Sequence, residues 1–343
     1  MIGQESREVE RKTIAILRVL NDCSEPLGGR IIARRLSDLG IDLGERAVRY
    51  HLKMMDQQGL TCPIGRRDGR AITKSGVEEL DSALVGDRVG LIATKMEMLA
   101  YQSSFDVIKR AGKVPVNVSL FFKESFEQAL EAMSETYKAG LCVSDRIAVA
   151  YEGEKLGETI VPKGKIGLAT VCNLIIIGTL LKAGIPVDPR FGGILRIRDR
   201  QPLRFVNLIE YGGSSLDPSE VFVAGKMTSV SKVAREGNGK ILAGFCELPA
   251  AARQEAEALM KRLEMKEVRG LVNLGKTGET LCEIPVAPNR VGMILIDGLN
   301  PVAASVEAGI EVVIRTMNGV IEFGKLRSFW DLSIAKELRE DRV

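Results

Sequence analysis

Apolar side chains in the first sixty residues recur at the three-and-four spacing of amphipathic helices. Val9, Thr13, Ile16, Leu17 and Leu20 share one face of a helix predicted over 9–21. Asp22-Cys23-Ser24-Glu25-Pro26 breaks it. A second helix from about residue 29 carries Ile32, Ala33, Leu36 and Leu39, and Gly40 supplies the stop. After a short turn, a third helix runs over about 44–58 and ends at Gly59. Two strand-like runs, 60–64 and 70–73, then flank Gly65-Arg66-Arg67-Asp68-Gly69, a turn bracketed by glycines. Ser75-Gly76-Val77-Glu78 fits a capping box for a fourth helix to about residue 84. Helix, helix, helix, hairpin, helix is the order of a winged helix-turn-helix.

The third helix decides what such a module can touch. At about 100° per residue, with Val48 at the centre of the buried stripe, Leu52 and Met55 fall within about 40° of it. Arg46, Tyr50, Lys53 and Gln57 land on the opposite side, with Arg49 on a flank. Arg can bond guanine bidentately and Gln adenine, while Lys and Tyr hold phosphates, so this face suits the major groove. Arg66 and Arg67 at the hairpin tip, with Arg70 at its base, form a wing that can track phosphates. The DNA-binding candidates are therefore Arg46, Arg49, Tyr50, Lys53, Arg66, Arg67 and Arg70. His51, about 60° from the stripe centre, suits either packing or a phosphate contact.

Beyond residue 86 the pattern changes to apolar strands alternating with helices, and it repeats. Ile166-Gly167-Leu168-Ala169-Thr170-Val171 and Val291-Gly292-Met293-Ile294-Leu295-Ile296 lie 125 positions apart, as do Ala183-Gly184-Ile185 and Ala308-Gly309-Ile310. Gly157-Glu158-Thr159 echoes Gly278-Glu279-Thr280 at a slightly shorter offset. A duplicated α/β unit follows from this register. In each copy an apolar strand ends where a polar turn opens a helix, at Cys172-Asn173 and at Asp297-Gly298-Leu299-Asn300. Helix starts of that kind present free N–H groups to anions. Between the echoes, Tyr211-Gly212-Gly213-Ser214-Ser215 and Gly237-Asn238-Gly239 are turns, and Leu216-Asp217-Pro218 reads as a turn entering the next strand.

Composition narrows the classes. At 343 residues the chain suits two or three domains. The net charge of +3 says little; its distribution says more. Between Arg30 and Lys74 there are ten basic residues against five acidic ones. The six cysteines are dispersed with no CxxC pair, which predicts unpaired thiols in a cytoplasmic protein. The longest apolar run, around 174–181, is far short of the roughly 20 residues of a membrane span. With His51 as the single histidine, neither a His-based zinc site nor a Ser-His-Asp triad can be built elsewhere. No catalytic residue and no metal site is expected.

One motif points to another class. Gly270-Leu271-Val272-Asn273-Leu274-Gly275-Lys276-Thr277 matches GxxxxGK[ST]. A P-loop needs a helix starting at Lys276. Gly278 follows at once and Pro285 soon after, which leaves no room for a stable helix, so a hairpin tip is expected here and a nucleotide site is not.

The blocks ERAVRYHLK, GLT and GRRDGRAIT resemble the ribonuclease R-type winged helix of the nitrogen regulatory repressor family NrpR. The resemblance continues through VPVNVSLF, KIGLATVCN, KAGIPVDPRFGGIL, YGGSSLDPSEVF, KMTSV and VGMILIDGLNPVAASVEAGIE, covering about 9–326. It implies an α+β multidomain chain: a winged helix-turn-helix over 1–86, an α/β effector-sensing and dimerisation domain over 87–326, and a C-terminal tail helix over 327–343. It also implies a homodimeric transcriptional repressor that binds double-stranded operator DNA of nitrogen-assimilation genes. The effector would be 2-oxoglutarate, a dicarboxylate that releases it, with no cofactor. Such a ligand needs anion sites and a neutralising cation. The candidates are Thr170, Cys172 and Asn173 on the first turn, Arg204 and Lys226 as charges, and Ser215 and Thr228 as hydroxyls. The same scaffold with a different small-molecule effector is the alternative.

Overall fold

The computed structural model describes residues 2–23, 25–65, 69–82 and 90–332, with the side chains of 2–8, 10, 81 and 82 outside the description. The chain divides into two compact units, Met1–Arg88 with Glu158–Ile160, and Val89–Gly157 with Val161–Val343. The expected boundary at 86 lies outside the described residues.

In the first unit, α1 (Ile2–Asn21), α2 (Gly29–Asp38) and α3 (Glu45–Gln57) surround a core of Ile16, Leu17, Leu20, Ile32, Leu36, Val48, Leu52 and Met55. Helix α1 begins earlier than the periodicity indicated, and Val9, placed on its apolar face, is exposed. Strands β2 (Thr61–Ile64) and β3 (Gly69–Ile72) form the hairpin, followed by α4 (Lys74–Ser82). A strand that periodicity could not reveal, β1 (Leu27–Gly28), pairs with β3 to give the order β1-β3-β2. Two residues are too few to show alternation. The cap of α4 is also shifted: Thr73, not Ser75, accepts from Gly76 N through Oγ1 at 3.0 Å.

The second unit opens with α5 (Leu91–Gln102), β4 (Lys113–Phe122), α6 (Phe126–Lys138) and β5 (Arg146–Ala150). The short β6 (Lys155–Leu156) precedes β8 (Lys165–Val171), α7 (Leu174–Lys182), β9 (Asp188–Arg198) and β10 (Gln201–Glu210), while β7 (Thr159–Ile160), between β6 and β8 in sequence, falls in the first unit. Then come α8 (Pro218–Ala224), α9 (Val230–Glu236), β11 (Gly239–Pro249), α10 (Arg253–Glu264) and β12 (Leu271–Thr277). The series ends with β13 (Arg290–Ile296), α11 (Asn300–Glu307), β14 (Val312–Arg315), β15 (Val320–Glu322) and β16 (Arg327–Ser328).

The duplication is larger than its sequence echo. Elements β4-α6-β5-β8-α7-β9 and β11-α10-β12-β13-α11-β14 have the same order, the split βαβ arrangement. Each copy contributes three strands to its own sheet and gives the fourth away. Strand β9, which follows the first copy's second helix, pairs with β11, and β14 pairs with β4. The sheet orders are therefore β14-β4-β8-β5-β16 and β10-β9-β11-β13-β12, all pairs antiparallel. Strands β8 and β13 are buried along nearly their whole length, which explains why they read as unbroken apolar runs.

The structure bears on three of these expectations. Residues 271–277 of the GxxxxGK[ST] motif form strand β12, and Lys276 is exposed and paired with Glu279 at 3.7 Å. No helix follows, as Gly278 and Pro285 lead one to expect, so no phosphate cradle exists. Asp217-Pro218 opens helix α8 rather than a strand. Asp217 caps it by accepting from Ser219 N at 2.8 Å, and Pro218 occupies the first turn. The expected tail helix over 327–343 starts two residues later than its bounds: Arg327–Ser328 form β16 against β5, and the chain turns helical over 329–332, with Phe329 buried against Tyr137 at a ring-centroid distance of 4.2 Å. The rest of the expected tail helix, 333–343, lies outside the described residues.

Candidate functional site

Helix α3 forms because its apolar residues fall on one stripe and because Gly40 and Gly59, both at positive φ, bound the turns around it. Val48, Leu52 and Met55 are buried, and His51 joins them at 8% exposure. Burial lowers the His51 pKa, with a further contribution from Lys12, so the ring is a neutral packing group. Of the two roles open to His51, packing is the one the structure gives it. Arg46, Arg49, Tyr50, Lys53 and Gln57 are all exposed, Tyr50 at 64%. Arg49 is steadied by Glu45 at 2.9 Å one turn earlier, and its stem lies over Gly29 at the start of α2. A polar, cationic face thus stands opposite the stripe that anchors the helix.

The wing is less simple than a row of free arginines. Arg66 and Arg67 lie outside the described residues. Arg70 is only 22% exposed and donates Nε to Asp56 Oδ2 at 2.8 Å. Asp56 also accepts from Thr61 Oγ1 at 2.6 Å. Arg70, read from sequence as a DNA contact, is tied to the end of α3 through this carboxylate.

The seven effector candidates in the second unit do not assemble into one site. Cys172 and Asn173 line a small cavity together with Met96, Asn117, Tyr211, Asp217, Ser219, Asp297 and Thr316. Thr170 is buried in β8, opposite Asn117 of β4, and its hydroxyl has no hydrogen-bond partner among the described residues. Arg204 lies exposed on β10, facing Glu283 at 3.6 Å. Ser215 sits half-buried in the loop before α8. Lys226 lines a separate groove beside β14. The Thr228 hydroxyl donates to Glu307 at 2.7 Å, and the same carboxylate accepts from Val230 N and Ser231 N at the start of α9.

The cavity lies where the two copies meet. Cys172 and Asp297 occupy equivalent positions, each ending a buried strand before a helix. Asn173 Nδ2 donates to Ile296 O at 3.3 Å, reaching from one copy to the other. Gly298 packs against Val171 so closely that a Cβ would stand 2.2 Å from its carbonyl oxygen. Asp297 accepts from Leu299 N at 2.8 Å and from Ser219 Oγ at 2.7 Å. Its free volume is about 20 Å³, room for about one water. Its lining holds two carboxylates and neither lysine nor arginine. Burial, then the charges of Asp297 and Glu220, raise Asp217 to about 7, and burial raises Asp297 as well. Burial likewise pushes the Cys172 thiol far up, so it is no nucleophile. Sequence reasoning missed Asp217 and Ser219 because the helix they open was read as a strand. Tyr211 was missed because turn chemistry alone marked its surroundings.

Comparison with known proteins agrees with this architecture. The family described as "NrpR regulatory domains NRD1 and 2" matches residues 89–328, and "Ribonuclease R winged-helix domain" matches residues 14–80. The "Global nitrogen regulator NrpRI" of Methanosarcina mazei is 38% identical over 320 residues, 93% of this chain and 98% of that protein. The "Global nitrogen regulator NrpR" of Methanococcus maripaludis is 32% identical over 296 residues, 86% of this chain; the chain spans only 51% of that protein. A crystal structure of a nitrogen repressor-like protein from Methanococcus jannaschii aligns with TM-score 0.59 and 29% identity, over 70% of this chain and 98% of that one.

Proposed function

The chain belongs to the NrpR nitrogen regulator family, and from that premise we propose that it is a repressor of nitrogen-assimilation genes that binds operator DNA through α3 and the wing. The observation that carries this is the exposure of Arg46, Arg49, Tyr50, Lys53 and Gln57 opposite a buried Val48-Leu52-Met55 stripe. A homodimer is the natural arrangement, because two such helices one helical turn apart read two half-sites. Gel shifts of wild type and of Arg46→Ala/Tyr50→Ala on promoter DNA of nitrogen-assimilation genes test it. Loss of binding in the variant is expected, and equal affinity refutes the assignment of α3.

The effector in this reading is 2-oxoglutarate, which releases the protein from DNA by binding one arrangement of the dimer better than the other. Family membership supports it. Calorimetry with 2-oxoglutarate against succinate and glutamate tests it, and no heat at millimolar ligand rejects it. A second reading, an effector that is not a dianion, is favoured by one observation. The cavity reached by Cys172 and Asn173 holds Asp217 and Asp297 and no cationic side chain. A dianion placed there gains nothing unless those carboxyls are neutral.

A further inference from the structure

One side chain of the recognition helix bonds to both strands of the wing. Asp56 lies in the last turn of α3. Its Oδ1 accepts from Thr61, the first residue of β2, and its Oδ2 from Arg70 of β3. Both strands of the hairpin are thus fastened to the helix by a single carboxylate. The fastening is shielded: the Asp56 and Arg70 side chains are 21% and 22% exposed. A charge-assisted bond in that setting holds geometry better than a pair in open solvent. Arg70 is also fixed by its strand, opposite Pro63 on one side and Leu27 on the other. It spends Nε on Asp56, and its two Nη groups have no partner among the described residues.

We propose that Asp56 is a positioning residue for DNA binding: it fixes the wing against the recognition helix and aims the free side of the Arg70 guanidinium at a backbone phosphate. A guanidinium held at Nε by a carboxylate keeps two parallel N–H groups in a plane, which matches a phosphate's oxygens. The contact adds affinity without reading a base. This proposal rests on the DNA-binding reading above.

The test uses the full chain and a duplex that the wild type selects from random-sequence DNA. Asp56→Asn is expected to bind that duplex about tenfold more weakly. The slope of log affinity against log salt should fall by about one, the signature of one lost phosphate contact. Asp56→Glu should restore part of both. Thr61→Ala, which removes the uncharged bond and leaves Arg70 paired, should keep the wild-type slope. Wild-type binding by Asp56→Asn overturns the proposal. So does a loss of affinity with an unchanged slope that tracks a lowered Tm to the same extent in Thr61→Ala. If the wild type selects no duplex, the DNA-binding reading itself fails and takes this role of Asp56 with it.

Discussion

Replacing Asp217 by Asn tests the electrostatics of the cavity where the two copies meet. Asp217 is 8% exposed, caps α8 through Ser219 N, and is raised from an ordinary 3.8 to about 7. That is about three units, equivalent to about 4 kcal/mol as an upper bound. The sign follows from proton counts. Between pH 4 and 7 the unfolded chain has lost this proton and the folded chain keeps it, so stability falls as pH rises through the window. The penalty is absent below about 4 and complete above about 7. Asn accepts the same bond from Ser219 N and is as good a cap, so Asp217→Asn removes the penalty and little else. The stability gain of the variant should be near zero at pH 4 and should grow by up to about 1.4 kcal/mol per pH unit. For a unit of this size each kcal/mol is about 2–4 °C in Tm. Thermal melts of both proteins at pH 5, 6, 7 and 8 measure it. A gain that does not change with pH, or a variant less stable than wild type at pH 8, refutes the buried-charge argument.

Other perturbations have equally definite outcomes. Gly298→Ala places a Cβ 2.2 Å from the Val171 carbonyl; a loss of several kcal/mol is expected from such overpacking, read as a lower denaturation midpoint, and an unchanged midpoint refutes the close approach. Lys276→Ala should leave fold, DNA binding and any nucleotide response as in wild type, because the exposed Lys276 sits in a strand; measurable ATP binding that the substitution abolishes would revive the P-loop. His51→Gln should destabilise the first unit by about 1–3 kcal/mol through lost packing, with the deficit smallest below pH 6, where wild type must charge a buried ring whose pKa is already lowered; a deficit that grows on acidification counts against it.

Much of the first unit was legible because its helices are amphipathic and its turns use glycine. Val48, Leu52 and Met55 against Arg46, Tyr50 and Lys53 is a pattern that only one helix orientation satisfies. The role of Arg70 was not legible, because nothing in its own neighbourhood announces Asp56, fourteen residues away. In the second unit the echo at a spacing of 125 revealed the duplication. Its first strand and helix, β4-α6 and β11-α10, carry no visible echo, since any apolar strand and any amphipathic helix fill those places. The effector candidates were chosen by residue type, and residue type does not report which turns converge. Thr228 and Glu307, brought together at 2.7 Å, are seventy-nine residues apart.

The exchange of fourth strands gives the cavity its physical meaning. Were each copy to keep its own last strand, the two could separate as independent sheets. Instead β9 completes the second copy's sheet and β14 the first copy's, so each copy is unfinished without the other. The helices α7 and α11 that lead into those strands begin at Leu174 and Asn300, beside the junction. Asn300 is wholly buried there, bonded to the backbone N–H and carbonyl of Leu242. The Cys172-Asn173 and Asp297-Gly298 turns are therefore each connected through one helix to a strand of the opposite sheet. Packed interfaces of this kind favour discrete arrangements over gradual deformation.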